Sequence, residues 1–153
     1  MLCENKMITI EQATPADCPV LALMNRQLID DGGDDSTMAD PQLESRMYHW
    51  LQGDTYTGFV FKLNGETIGY ALIDVSERWL RHFFICRIYR RRGYGREAVR
   101  LLMKHLGVEE IGLSCLTKNV SGQGFWRSFQ HEAYSTNFSV QRPDIAQLRD
   151  EAE

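Results

Sequence analysis

The sequence lacks any apolar run approaching the 18 or so residues that a membrane-spanning helix needs, so no membrane partner is expected. Its start, MLCENKMITIE, has no cationic segment followed by an apolar one and reads as carrying no secretion leader. Cysteine is limited to Cys3, Cys18, Cys86 and Cys115, at spacings that match no zinc or thioredoxin pattern. Without a leader the expectation is reduced thiols and a cytoplasmic location, with Cys18, Cys86 and Cys115 packed as small hydrophobes. His49, His82, His105 and His131 form no spaced pair that reads as a metal site, so no metal is expected. Net positive charge is missing too: 17 Lys and Arg stand against 21 Asp and Glu, which sets a nucleic-acid partner aside.

The chain has 153 residues, 43% of them hydrophobic, which suits one domain over 1–153 with its own core. Residues 1–6 look like an extension upstream of a start at Met7, and 142–153 like a polar tail. Alternation predicts a first strand over 7–13, and Thr14-Pro15 opens a helix over about 15–29. The segment 30–40, with five aspartates and two glycines, reads as a loop. Asp40-Pro41 starts a second helix, with Leu43, Met47, Trp50 and Leu51 on one face. Strands are predicted over 56–63 and 66–74 around Asn64-Gly65, a strong hairpin signal because both positions tolerate positive φ. A further strand covers about 79–86, and a helix about 94–106 places His105 among leucines. Another strand over 111–117, a short helix over about 121–129 and a last strand near 133–140 complete the order β-α-α-β-β-β-α-β-α-β. This is a mixed α/β, α+β-like chain: antiparallel strands feed a strand–helix–strand unit.

Arginine dominates the basic residues, and six arginines fall between positions 81 and 96. Arg90-Arg91-Arg92-Gly93-Tyr94-Gly95-Arg96 follows a predicted strand and opens a predicted helix. Glycines there let successive N–H groups converge, and a helix N-terminus adds unsatisfied donors and a positive dipole end. Four arginines around such a nest suit a pyrophosphate. Gly93-x-Gly95-x-x-Ala98 also fits a relaxed dinucleotide fingerprint, but Thr117-Lys118 stands where that fold needs an acid, and three preceding antiparallel strands fit it badly.

With Arg90, Gly93 and Gly95 in an Arg/Gln-x-x-Gly-x-Gly/Ala pattern between a strand and a helix, the chain resembles the GNAT superfamily of N-acetyltransferases over nearly its whole length. The resemblance implies a mostly antiparallel sheet with a splayed parallel strand pair that holds the coenzyme. It implies acetyl-CoA as co-substrate and a small-molecule or peptide amine as acceptor, with homodimerisation left open. Backbone groups of Arg91, Arg92, Gly93, Tyr94, Gly95 and Arg96 would hold the pyrophosphate, and Ile85 and Arg87 the pantetheine arm and thioester. Asn119 stands where the family usually has an Asn, while Trp126 replaces a Tyr that often protonates the leaving thiolate, and Gln130-His131 replaces a Gly-Phe. Trp126 is therefore expected to pack beside the pantetheine.

Acetyl transfer needs a neutral amine, a donor for the developing oxyanion and a proton for the thiolate. Period-2 alternation puts Trp79, Arg81, Phe83 and Ile85 on one strand face and Leu80, His82 and Phe84 on the other. His82 has a suitable pKa for a base but needs a bulge to re-aim it. Tyr134 is a candidate acid or substrate contact. Arg81 is a candidate holder of a substrate carboxylate, and Asp30 and Asp31 of the acidic segment are candidate contacts for a cationic amine. A non-catalytic acyl-CoA-binding sensor or interaction module is the alternative function, favoured by Trp126 and by the lack of a base at Trp79 and Arg81.

Overall fold

The computed structural model describes residues 7–129 and Pro143. Five strands form one sheet in the order β1-β2-β3-β4-β5: β1 (Ile8–Gln12), β2 (Thr57–Leu63), β3 (Glu66–Asp74), β4 (Trp79–Ile85) and β5 (Gly112–Leu113). The first four are antiparallel neighbours, and β4 and β5 run parallel. The helices are α1 (Cys18–Gly32), α2 (Asp40–Gln52), α3 (Tyr94–Leu106) and α4 (Val120–Arg127). This is the mixed α/β architecture that the sequence predicts. Contacts divide the chain into two compact units, Met1–Gln123 and Gly124–Glu153.

The α1–α2 layer packs on one sheet face through Leu21, Ala22, Met24 and Met47 against Val60, Tyr70, Leu72 and Phe84. On the other face α3 packs against β1 and β4, and His105 meets the Phe59 ring edge-on at 5.2 Å. The β2–β3 hairpin turns on Asn64 (φ 52) and Gly65 (φ 81), both left-handed as a two-residue turn demands.

Three elements differ from the sequence expectation. Helix α1 does not stop before residue 30 but continues through Asp30, Asp31 and Gly32 to Gly33, whose φ of 72 ends it. Ile29 carries the buried stripe onward, and Asp31, unfavourable at a helix C-terminus by itself, is paired with Arg87 and Arg90. Strand β5 shrinks to two residues, because the Cys115 and Leu116 carbonyls accept bonds from the Gln123 amide instead of a ladder. Strand β4 breaks its alternation: the β3–β4 register shifts between Leu72 and Ile73, where His82 pairs with Leu72 and Leu80 with Ile73. Arg81 is the extra residue of this bulge. The predicted strand near 133–140 lies outside the described residues.

Candidate active site

The end of β4, the loop after it and the start of α3 form one continuous backbone feature. Beyond Leu80, β4 has no register partner on its β5 side among the described residues. Cys86 N–H donates to the Ile68 carbonyl at 2.8 Å, so by antiparallel alternation the Ile85 N–H and C=O point away from β3, into the gap. Residues Arg87–Tyr89 make a 3-10 turn, and Arg91 (φ 61) and Gly93 (φ 87) are both left-handed. The first intrahelical bond of α3 is Glu97 N–H to the Gly93 carbonyl. The N–H groups of Tyr94, Gly95 and Arg96 therefore have no acceptor within the helix. A Cβ built on Gly93 would meet nothing within 4 Å, so glycine there answers to backbone conformation, not to crowding by the protein.

The arginines divide into two groups. The Arg90 Nε donates to the Ile85 carbonyl at 2.6 Å, its Nη2 donates to Asp31 at 2.8 Å, and its guanidinium stacks over Phe84 at 5.0 Å. Arg87 also donates to Asp31, through Nε at 3.0 Å and through Nη2. The Arg87 bond, with those of Arg90 behind it, holds the Asp31 carboxyl below its ordinary range against the opposing effect of burial. Arg91 and Arg92 are exposed and make no ion pair among the described residues. An open helix N-terminus beside two uncommitted guanidinium groups can receive a polyanion. Asn119 sits at the start of α4, where its Oδ1 accepts from Gly122 N–H at 2.9 Å.

The β4 bulge reshapes the other candidates. Arg81 and His82 point to the same side, and both meet Trp50: the Arg81 guanidinium carbon lies 4.9 Å from the ring centroid and the His82 ring 5.4 Å. Phe83 points to the opposite face, against Phe61. The expected separation of Arg81 from His82 is thus corrected by one inserted residue. The His82 Nδ1 lies 3.0 Å from the Tyr70 hydroxyl. Burial, with the charges of Arg46 and Arg81, pushes His82 down to about 3, and burial pushes the Tyr70 hydroxyl well above its ordinary range. Asp30 is exposed, whereas Asp31 is half-buried on the arginines. Trp126 packs with Phe125 (4.7 Å) and Phe129 (5.8 Å). Tyr134 and His131 lie outside the described residues.

Sequence reasoning missed Asn25, Arg46, Trp50, Tyr56 and Tyr70, which surround Arg81 and His82. The available signal was polar residues inside apolar stripes: Asn25 among Leu21, Met24 and Leu28, and Arg46 between Leu43 and Trp50. A surface depression of about 500 Å³, lined by Pro15, Cys18, Pro41 and Tyr48 among others, contains none of the candidate residues. Among the described residues, no three His, Cys, Asp or Glu side chains gather as a metal site, and no helix is long and apolar enough to cross a membrane.

No curated protein matches the chain. Solved structures share its fold. An aminoglycoside N-acetyltransferase, AAC(6')-Iy, in complex with CoA matches with a TM-score of 0.70 and 16% identity over 94% of this chain and 99% of that one. A ribosomal-protein-alanine N-acetyltransferase from Brucella melitensis biovar Abortus 2308 matches with a TM-score of 0.68 and 12% identity, over 89% and 100%. AAC(6')-Iy in complex with the bisubstrate analogue CoA-S-monomethyl-acetylneamine gives 0.66 and 18%, over 89% and 99%. The model of one family, described as acetyltransferase (GNAT), matches residues 23–130, which include β2 to β5, α3 and the whole arginine segment. On that match and this architecture, the chain belongs to the GNAT acetyltransferase family.

Proposed function

We propose that this acetyltransferase-family chain moves an acetyl group from acetyl-CoA to the primary amine of a small molecule or peptide. One observation carries the proposal: the open N-terminus of α3, with left-handed Arg91 and Gly93 and two uncommitted arginines, at the end of a strand whose Ile85 N–H faces a gap. These groups fit the coenzyme, and structural neighbours with CoA or a bisubstrate analogue bound support the choice. The N–H groups of Tyr94, Gly95 and Arg96 would hold the pyrophosphate, and Arg91 and Arg92 would offset its charge. Acetyl-CoA, when bound, supplies an activated thioester.

The Ile85 N–H would donate to the oxygen that gains negative charge during attack. Arg90, tied to Asp31 and the Ile85 carbonyl, would position this strand end, leaving phosphate contact to its neighbours. His82, pushed down to about 3, is neutral at physiological pH but a poor base, so it would orient Trp50 and Tyr70. The attacking amine would enter neutral or lose its proton to water. Tyr134 is the proposed proton donor to the thiolate, itself a fair leaving group with a thiol pKa of about 8.5. Trp126 would serve by packing.

The weak basicity of His82 also favours a second reading, an acyl-CoA-binding module without turnover. Release of free thiol from acetyl-CoA, dependent on an added amine and on this protein, separates the two. Amine-dependent release with recovery of the acetylated amine supports transfer. Tight CoA binding without release from a broad amine panel supports the binding module.

A further inference from the structure

Beside the β4 bulge, two guanidinium groups meet one indole. The Arg46 guanidinium carbon lies 4.5 Å from the Trp50 ring centroid and that of Arg81 lies 4.9 Å from it. Arg81 also approaches Tyr56, 5.6 Å from its ring centroid and 3.4 Å from its hydroxyl. Neither arginine has a carboxylate within ion-pair distance among the described residues. Burial and the Arg81 charge disfavour the charged Arg46, and the more distant Asp34 offsets them only in part.

The neighbourhood is also short of acceptors. Asn25 is 1% exposed, and its Oδ1 accepts from the Arg46 Nη2 at 3.0 Å. The Arg46 Nε is buried without a hydrogen-bond partner, while the Asn25 side chain serves the Tyr70 hydroxyl. An unmet guanidinium donor in a half-buried cationic cluster marks a place short of acceptor oxygens. The acidic segment, by contrast, is largely committed within the protein. Asp31 pairs with Arg87 and Arg90, Asp35 with Lys118 at 3.2 Å, and Asp40 with Arg26 at 2.9 Å. Much of the expected attraction of that segment for a cationic amine is therefore spent on arginines and a lysine, and the charge of Asp34 reaches Arg46 without pairing with it.

Resting on the acetyltransferase reading, we infer that the acceptor is a small amine that also bears a carboxylate, an amino acid or close relative, held through that carboxylate by the exposed Arg81, with Arg46 adding positive potential beside Trp50. A guanidinium fork matches a carboxylate in plane, and the indole and phenol rings supply an apolar floor for the acceptor's carbon chain. The β4 bulge is what makes the site, because it turns Arg81 to the side of Arg46 on the strand that ends at Ile85. A polycationic acceptor such as an aminoglycoside meets two like charges here that no carboxylate pairs among the described residues.

The test uses matched pairs: amino acids against their decarboxylated amines, assayed for thiol release from acetyl-CoA, with an aminoglycoside alongside. The inference predicts that the carboxylate member of at least one pair is preferred in kcat/KM by about 10- to 150-fold, the range for one charge-assisted contact. Calorimetry in the presence of CoA should show the same member binding more tightly. Arg81→Gln should reduce that preference to near unity, and Arg81→Lys should restore part of it, with melting temperature and CoA affinity checked for each. Turnover of amines or aminoglycosides with no advantage for any carboxylate partner overturns the anion site and leaves acetyl transfer standing. An Arg81→Gln protein that folds, binds CoA and keeps the full preference also overturns it. Absence of thiol release with every amine, while CoA binds, instead overturns acetyl transfer, and the inference with it.

Discussion

Glycines 93 and 107 form a natural experiment at the two ends of α3. Gly93 precedes the helix with φ 87, and Gly107 follows it with φ 66. A Cβ at either position would meet nothing within 4 Å. An alanine at either should cost only the left-handed backbone penalty, about 1–2 kcal/mol. For a chain of this length that lowers the melting temperature by about 2–8 °C. The two differ in what lies outside the protein. At Gly93 the added methyl would stand where the proposed phosphates approach the N–H groups of α3, while Gly107 lies at the far end of the helix. Loss of one charge-assisted backbone contact is about 1.5–3 kcal/mol, so Gly93→Ala should weaken CoA binding by about 10- to 150-fold. Gly107→Ala should leave CoA affinity within about twofold of the parent. The assay pairs thermal melts without ligand with calorimetric titration of CoA. Equal CoA affinity for Gly93→Ala and the parent would refute the placement of the cradle. Equal losses in both variants would show that CoA affinity tracks helix stability alone.

Asp31→Asn removes the partner of Arg87 and Arg90 and should cost about 1–2 kcal/mol, since Arg87 is largely exposed and contributes little. Because the folded Asp31 carboxyl is held below its ordinary 3.8, that stabilisation is present at neutral pH and fades as pH falls through the folded value; urea melts at pH 7 and pH 3 should show the two proteins converging. Arg91→Gln with Arg92→Gln should weaken CoA binding and flatten its salt dependence, and a slope equal to the parent's would remove these side chains from the phosphate site. His82, depressed to about 3, stays neutral while an unfolded His takes up a proton below about 6.5, so stability should fall on acidification by up to about 1.4 kcal/mol per pH unit; His82→Gln should flatten that slope in melts between pH 6.5 and 4. Trp126→Phe keeps an aromatic ring beside Phe125 and Phe129 and should lower turnover only modestly, with no ionisation lost from the pH–rate profile, whereas Tyr134→Phe should lose turnover by about 10²- to 10⁴-fold if Tyr134 is the acid.

Local signals were the legible ones. Asn64-Gly65 specified its hairpin, Tyr94–Leu106 matched its apolar stripe to the residue, and the Arg90–Arg96 segment was found at the strand–helix junction where its composition placed it. Features that depend on distant partners were not legible. The extension of α1 through Asp31 is matched by arginines 56 and 59 residues away. The bulge at Arg81 follows from the register between β3 and β4, and one inserted residue moves a side chain to the other face of a strand. That shift decides whether Arg81 and His82 share a site, and period-2 reasoning cannot see it. Arg46 and Asn25 looked like ordinary members of helices because sequence does not say which polar residue in an apolar stripe is drawn into a buried cluster.

The cradle at the β4–α3 junction is tested most directly by titrating acetyl-CoA into isotope-labelled protein and following backbone amide resonances. The largest shifts should fall on Ile85 and on residues 91–96, saturating together, with Gly107 and the β2–β3 turn unmoved. Saturable binding whose shifts cluster elsewhere, or no binding at millimolar acetyl-CoA, would contradict it.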